Sequence, residues 1–304
     1  MGNAVAGLGF IAWGAAALMA AGDREYDAVV AFRSGPEAYQ QAIEGMREVL
    51  RETPLRVQYI DLVSAGGAAE LAAARASAQA GAPRLLTIIG ASAWESADEG
   101  LPFILPALML RQEVKEHGTR RAGAVYADVP LTRVSEGLRA VFPGKSRLGL
   151  IHRPSGPGPD AGTLGRLRQM GFELRVVECA SPDALLTAFA SLRGKADFAI
   201  TEPDAELYNS ATVKPLVRAS LEQRLPIVGF SAAFVRAGAL VGVYPDFREL
   251  GRQTGQLAEG ILTGKIEGNR TEEEVRKLVV AVNQTVARLL GISPAERAET
   301  VVFK

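Results

Sequence analysis

The stretch that decides the fold runs from Arg218 to Gly255 and reads RASLEQRLPIVGFSAAFVRAGALVGVYPDFRELGRQTG. A helical segment leads into the short apolar strand Pro226–Phe230, and a polar loop at Ser231 follows it. A second apolar run, Leu240–Tyr244, leads into a helix that starts near Asp246. Short apolar runs that alternate with helical segments are typical of βαβ units with parallel strands.

The same alternation extends through the rest of the chain and divides it into two halves of similar size. We predict an α/β protein with two Rossmann-like lobes, each built on a parallel sheet, joined by crossover strands. Strands are predicted at 26–32, 55–62, 85–89, 103–110, 123–126, 147–151, 174–177, 198–200, 227–230, 240–244 and 278–282, and helices at 36–50, 67–80, 92–100, 131–142, 161–170, 183–192, 213–223 and 284–290, besides the helix near Asp246.

Composition excludes several classes of function. The 304 residues carry 34 basic and 34 acidic side chains, so the net charge gives no electrostatic reason to expect nucleic acid as a partner. The single cysteine, Cys179, can form neither an internal disulfide nor a cysteine-based zinc site. The apolar segment Val5–Ala21 predicts that residues 1–22 are a signal peptide or an N-terminal anchor.

Polar loops follow several of the predicted strands. In open parallel sheets, ligands bind beyond the carboxyl ends of the strands, at the point where the strand order reverses. These loops bring backbone N–H groups to helix N-termini, which favour an anionic group such as a carboxylate, although capping the helix is an alternative role for the same residues. Two of the loops contain the capping-box spacing, Ser34 to Glu37 and Ser92 to Glu95. The candidate loop residues are Ser34, Gly35, Gly90, Ala91, Ser92, Ser155 and Ser231.

Larger side chains near these loops complete the candidate ligand site. Tyr39 and Trp94 could stack on an aromatic ligand, with core packing as the alternative. Arg153 could clamp a carboxylate, with a solvated surface charge as the alternative. Glu202 and Asp204 could receive a ligand ammonium group or cap a helix. The remaining aromatic candidates are Tyr126, Phe230 and Tyr244.

Catalytic and cofactor motifs are missing from the sequence. It contains two histidines, His117 and His152, and none of the serine-hydrolase, zinc-protease or P-loop patterns. The glycines at 156–162 have the wrong spacing for a dinucleotide, and their prolines remove N–H donors that a phosphate would need. We therefore predict no enzyme, no cofactor and no metal.

The blocks Arg236–Gly255 and Asn283–Ile292 closely resemble ABC-transporter substrate-binding proteins whose characterised members bind aromatic amino acids such as tryptophan. This resemblance implies a type I periplasmic-binding-protein fold whose lobes close on a ligand in the inter-lobe cleft by hinge bending. It also implies crossings near Tyr126, 238–244 and 279–282, and with them an N-terminal lobe of 23–125 plus 241–277 and a C-terminal lobe of 126–240 plus 278–304.

The expected function is that of a periplasmic or otherwise extracytoplasmic solute-binding protein. It would bind a small, amino-acid-like, carboxylate-bearing ligand as a monomer and deliver it to an ABC permease in the membrane. The alternative is a ligand-sensing module of the same fold that signals to a membrane partner. The loop after the first strand reads Arg33-Ser34-Gly35-Pro36 where family members often carry a loop rich in Asn or Asp, so the side chains that select the ligand differ.

Overall fold

The computed structural model describes residues 26–79, 83–94, 104–116, 122–156, 158–266, 271–295 and 300–303. The chain divides into two compact units, one made of residues up to Asp128 together with Phe247–Arg276, the other of Val129–Asp246 together with Lys277–Lys304. The predicted signal segment, 1–22, lies outside the described residues.

Strands and helices alternate along the chain as the sequence predicts. The first part contains β1 (Ala28–Phe32), α1 (Glu37–Leu50), β2 (Val57–Asp61), α2 (Gly67–Gln79), β3 (Leu85–Ile89), α3 (Ala91–Trp94), β4 (Ile104–Met109), α4 (Arg111–Glu116) and β5 (Gly123–Tyr126). The second part contains α5 (Leu131–Val141), β6 (Arg147–His152), α6 (Ala161–Gln169), β7 (Glu173–Glu178), α7 (Leu185–Ser191), β8 (Phe198–Thr201), α8 (Val213–Gln223), β9 (Ile227–Gly229), α9 (Ala232–Ala237), β10 (Val241–Pro245), α10 (Phe247–Thr263), β11 (Thr271–Glu273), β12 (Leu278–Asn283), α11 (Gln284–Leu290) and β13 (Thr300–Phe303).

Each unit is built on one sheet. The first sheet has the order β11-β5-β4-β3-β1-β2, and all of its neighbouring strands are parallel. The second sheet has the order β13-β12-β10-β9-β8-β6-β7, and it is parallel except for the antiparallel pair β10 and β12. The prediction of an α/β protein with two parallel-sheet lobes is confirmed.

The strand β10 belongs to the second sheet, whereas the expected division placed 241–277 with the N-terminal lobe. β10 pairs with β9 on one side and with β12 on the other, so its backbone hydrogen bonds fix it there. The chain therefore passes between the units after Asp128, after Asp246 and after Arg276, a few residues from the expected positions. The sequence pattern also gave no indication of α4, α9, β11 and β13, which are short.

In the first unit, the backbones of α1 and α10 pack unusually close to each other. A Cβ atom on Gly251 would lie 1.9 Å from the backbone oxygen of Ala42, and one on Gly45 would lie 1.9 Å from the oxygen of Arg248. Only glycine lets the two helix backbones approach this closely. Ion pairs from Glu48 to Arg248 and Arg252 flank the crossing. The glycines near the end of the stretch Arg218–Gly255 therefore determine how closely α10 packs against α1.

Candidate functional site

The carboxyl edge of the first sheet has a topological switch point between β1 and β3. β1 pairs with β2 on one side and with β3 on the other, so the chain leaves β1 in one direction and then crosses back to the other side. In doubly wound sheets of this order, ligands bind where the connections diverge, because the loops there leave a crevice. The loops that follow β1 and β3 therefore form the candidate site of this unit.

Side chains from both loops meet at this switch point. The Nε atom of Arg33 donates a hydrogen bond to the backbone oxygen of Ser92 at 2.9 Å, which ties the two loops together. The side chains of Tyr39 and Ser92 share a second hydrogen bond. Burial raises the pKa of the Tyr39 hydroxyl, so this group stays protonated at neutral pH. Gly90 has a φ of +79°, and a Cβ atom there would lie 2.3 Å from the Tyr39 hydroxyl oxygen.

The expected capping boxes do not form. Helix α1 begins at Glu37, and Pro36 occupies its N-cap position without any side-chain hydrogen bond to the helix. Ser34 instead donates its backbone N–H to Oδ1 of Asp61, the last residue of β2, at 3.0 Å. Ser92 lies inside α3 rather than before it, and Glu95 is outside the described residues. Ser34 and Ser92 therefore remain exposed at the sheet edge, as does Gly35, and Ala91 is half-buried beside them.

Three of the aromatic candidates are buried instead of lining a loop. The exposed fractions are 3% for Trp94, 1% for Tyr126 and 6% for Tyr244. Trp94 packs in the core cluster of the first unit, and the guanidinium of Arg111 covers the ring of Tyr126 at 4.1 Å. Tyr244 lies in the middle of its sheet on β10. These rings offer little surface for a ligand to stack on, so we assign them to packing.

The second sheet repeats the switch point, here between β6 and β8. β6 pairs with β7 on one side and with β8 on the other. Arg153, the first residue after β6, donates from Nε and Nη2 to the two carboxylate oxygens of Asp204 at 2.7 and 2.8 Å, and it also pairs with Glu206. These hydrogen bonds lower the pKa of Asp204. Two carboxylates of the protein already pair with the guanidinium of Arg153, so nothing in this arrangement supports the prediction that it clamps a ligand carboxylate.

A histidine and a second carboxylate span the same switch point. Nδ1 of His152 lies 3.1 Å from Oε2 of Glu202, and Nε2 lies 3.2 Å from the backbone oxygen of Gly156. Burial raises the pKa of Glu202, and the hydrogen bond from His152 lowers it to a smaller extent. Both ring nitrogens of His152 face oxygen atoms, but a neutral imidazole has only one N–H. The two hydrogen bonds therefore form together only when the His152–Glu202 pair holds one further proton, on either side chain. Ser155 is exposed in the turn that closes over His152.

The loop after β9 adds an aromatic surface. Ser231 caps α9, and its side chain accepts a hydrogen bond from the backbone N–H of Phe234 at 3.2 Å. The rings of Tyr208, Phe230 and Phe234 pack against each other with centroid distances of 5.4 to 5.9 Å. Phe230 is the partly exposed member of this group. It is the one predicted aromatic besides Tyr39 that keeps surface available at a strand end.

Two further features are missing from the part of the chain that the structure describes. No grouping of three or more His, Cys, Asp or Glu side chains there could hold a metal ion. Within the same residues, no helix has both the length and the apolar character needed to cross a bilayer.

Sequence comparison assigns the chain to a family. The profile of the ABC transporter substrate binding protein family matches residues 28–302. The protein belongs to this family. An ABC transporter substrate-binding protein is not an enzyme, and its partners are a ligand and a transporter. The family is typically extracytoplasmic. No match is found among curated proteins.

Solved structures show the same fold at low sequence identity. CD0873, a substrate-binding protein with adhesive properties from Clostridium difficile, has a TM-score of 0.69 at 15% identity, over 92% of this chain and 99% of that one. An ABC domain in complex with L-Trp from Streptococcus pneumoniae has a TM-score of 0.59 at 18% identity, over 91% of this chain and 100% of that one. A periplasmic ribose ABC transporter protein from Conexibacter woesei reaches 0.52 at 16% identity, over 88% and 95% of the two chains.

The sequence pattern placed most candidate loops at the correct sheet edge but missed two residues that organise them. The sequence indicates Arg33 only as part of the loop that departs from the family pattern, and His152 is not among the predicted site residues. Both lie at the end of the first strand of their sheet, where His152 is the last strand residue and Arg33 the first residue beyond it. A polar residue at that position is a signal that could have identified both.

Proposed function

We propose that this ABC transporter substrate-binding protein captures a small, amino-acid-like ligand that carries a carboxylate, using the loops at the switch points of both sheets. The observation that carries the proposal is that polar side chains bridge the two strands at each switch point: Arg33 reaches the Ser92 loop, and His152 and Arg153 reach Glu202 and Asp204. Such bridges hold polar groups in fixed positions at the edge of each sheet, which is what ligand recognition needs.

The chemistry of the bridges supports a ligand with both polar and apolar parts. The first unit offers one hydroxyl donor from the hydrogen-bonded pair Tyr39 and Ser92, and the second offers the carboxylate of Glu202 as an acceptor for an ammonium group. Phe230, at the end of β9 in the second unit, adds an apolar ring. The structure of the S. pneumoniae relative in complex with L-Trp supports an amino acid as the first ligand to examine, although its identity to this chain is only 18%.

The rest of the proposal concerns delivery of the bound ligand to a permease. The protein acts as an extracytoplasmic monomer, exported by its apolar N-terminal segment, and its lobes close on the ligand by hinge bending. Small-angle scattering with and without saturating ligand tests closure: the radius of gyration should fall. An identical radius in both states would contradict hinge bending but would leave binding itself in place.

A thermal-shift screen tests whether the switch-point loops bind a ligand. A ligand that binds only the folded state at a hundredfold excess over its Kd stabilises it by about 2.7 kcal/mol, which raises the melting temperature by several degrees. We expect a response confined to one chemical class, with amino acids as the leading class against sugars and nucleosides. The double variant Ser34→Leu/Ser92→Leu should lose the response and keep its fold, whereas Ser77→Leu, an exposed change on α2, should keep both. Unchanged affinity in the double variant would refute the assignment of the site.

A further inference from the structure

The two arginines that follow the first strand of each sheet occupy the same topological position. Arg33 comes directly after β1, and Arg153 comes directly after β6. Each reaches across its switch point to the loop after the strand on the far side, Arg33 to the backbone oxygen of Ser92 and Arg153 to the carboxylate of Asp204. The two arginines therefore occupy equivalent positions in the fold but bind different groups, a backbone carbonyl for Arg33 and a carboxylate for Arg153.

The difference lies in the charge that each guanidinium meets. Arg153 pairs with two carboxylates, those of Asp204 and Glu206, so its charge is fully compensated inside its own unit. Arg33 makes no ion pair in the part of the chain that the structure describes, and its tether ends on a neutral carbonyl. The nearby carboxylate of Asp61 instead accepts backbone N–H groups from Ser34 and Val63. Among the residues that the structure describes, the two Nη groups of Arg33 make no hydrogen bond, so they can bind an anion.

Arg33 is better placed to bind an anion than an arginine whose side chain is solvated at the surface. Its Nε–H is fixed by Ser92, so the planar fork is already oriented before an anion binds to its Nη groups, and less entropy is lost on binding. Tyr39 and Ser92 share a hydrogen bond at the same switch point, which leaves one of their two hydroxyl protons to donate to the same anion. A fork of parallel N–H groups matches a carboxylate in two hydrogen bonds.

We propose that Arg33 binds the carboxylate of the transported ligand and selects the acid over its neutral analogues. This inference rests on the proposed function, since it names the residue of that same site that recognises the anionic group. Arg153 acts only within the protein, where it holds the loop after β8 in place. The sequence pattern favours Arg153 as the clamp, and the ion pairs of the structure transfer that role to Arg33.

The experiment compares charged and neutral forms of each ligand. The full-length protein is melted in the presence of the L-amino acids and, separately, of the corresponding amino-acid amides and the decarboxylated amines. The variants are Arg33→Gln, Arg33→Lys and the matched control Arg56→Gln. Arg56 precedes β2 at the opposite, amino-terminal edge of the same sheet and has an exposed side chain, so its substitution removes the same charge away from the site. The affinity of each compound that stabilises the protein is then measured by calorimetry.

We expect at least one amino acid to stabilise the wild type while its amide and its amine do not. Arg33→Gln should lower that affinity roughly ten- to a hundredfold, as expected for a lost hydrogen bond to a charged group. Arg33→Lys should keep part of the affinity, because it keeps the charge without the fork, and Arg56→Gln should equal the wild type.

Other outcomes separate this inference from the proposed function. Equal binding of an acid and its amide, or unchanged affinity in Arg33→Gln, would overturn the role of Arg33 and leave a binding protein in place. Stabilisation by a sugar or a nucleoside alone would overturn both the role of Arg33 and the proposed ligand class. A screen in which no compound of any class stabilises the folded protein would count against the proposed function itself.

Discussion

Arg153 and Asp204 form a bidentate ion pair across the β6/β8 switch point, with Nε–Oδ2 and Nη2–Oδ1 distances of 2.7 and 2.8 Å. Oδ1 of Asp204 also accepts the backbone N–H groups of Glu206 and Leu207, so the carboxylate organises the whole loop that follows β8. The pair belongs to the protein rather than to a ligand, and it keeps Glu202 in reach of His152 on the neighbouring strand.

The Arg153–Asp204 pair predicts a pH dependence of stability. The hydrogen bonds from Arg153 lower the pKa of Asp204 below its ordinary value of 3.8. A carboxyl group with a lowered pKa in the folded state contributes stability above its unfolded pKa and loses it as the pH falls through the folded value. We expect Asp204→Asn to be less stable than the wild type at pH 6, and the difference to shrink below pH 4. Chemical denaturation between pH 6 and 2.5 measures it; a difference that stays constant over that range would contradict the assignment.

Gly90 is predicted to matter for binding because it makes room for Tyr39. Alanine at this position brings a Cβ atom to 2.3 Å from the Tyr39 hydroxyl and must also adopt a φ of +79°. We expect Gly90→Ala to displace Tyr39, to lower ligand affinity at least tenfold and to destabilise the fold by about 1–3 kcal/mol. The matched control is Gly264→Ala, just after α10, which has a φ of +72° but open space around the new methyl group. It should show strain without displacing Tyr39. Equal affinities of the two variants in calorimetry would refute the role of Gly90.

The crossing of α1 and α10 predicts a strong effect on stability at Gly251. A methyl group there would lie 1.9 Å from the backbone oxygen of Ala42, so the helices must separate. We expect Gly251→Ala to lower the free energy of unfolding by about 1–3 kcal/mol, the range for overpacked cores. Gly165, inside α6, has open space where a Cβ atom would lie, with nothing within 4 Å, and Gly165→Ala should raise stability by roughly 0.5–1 kcal/mol through helix propensity. Urea denaturation of the two variants should give opposite signs.

Asn283 joins the start of α11 to α9. Its Oδ1 accepts the N–H of Val286 and caps α11, while its Nδ2 donates to the backbone oxygen of Val235, both at 3.0 Å. We expect Asn283→Ala to cost about 1–3 kcal/mol, since it removes a cap and a buried hydrogen bond together. Asn283→Ser keeps the cap alone and should lie between the wild type and the alanine variant. Thermal unfolding in which serine and alanine behave alike would show that the cap contributes nothing.

Many boundaries of the fold could be read from the sequence. The predicted strand 85–89 and the predicted helices 213–223 and 284–290 coincide with β3, α8 and α11. These elements are long or strongly apolar, and their periodicity is local information. Elements of three to six residues, such as α4, α9 and β11, were missed because their patterns are too short to stand out.

The candidate site was only partly predictable. The sequence placed Ser34, Glu202 and Ser231 in loops that follow strands, where the structure also has them, because strand ends are marked by polar and turn residues; Ser92 instead lies in α3. It could not decide which side chains those loops keep free. Arg153 and Arg33 look alike as residues after a strand, yet one is bound by carboxylates from a loop about fifty positions further along the chain and the other is not.

The sequence by itself determined the alternation of strands and helices, the two-lobed α/β class and, through two motif blocks, the family. These properties depend on local periodicity and on residue order, which a chain displays without being folded. The tertiary structure alone decided that β10 joins the second sheet, that Trp94 and Tyr126 are packed and that Gly251 must be glycine. It also decided that Arg153 pairs with Asp204 and Glu206. Pairing, burial and charge compensation depend on residues far apart in the chain, so they exist only once the chain has folded.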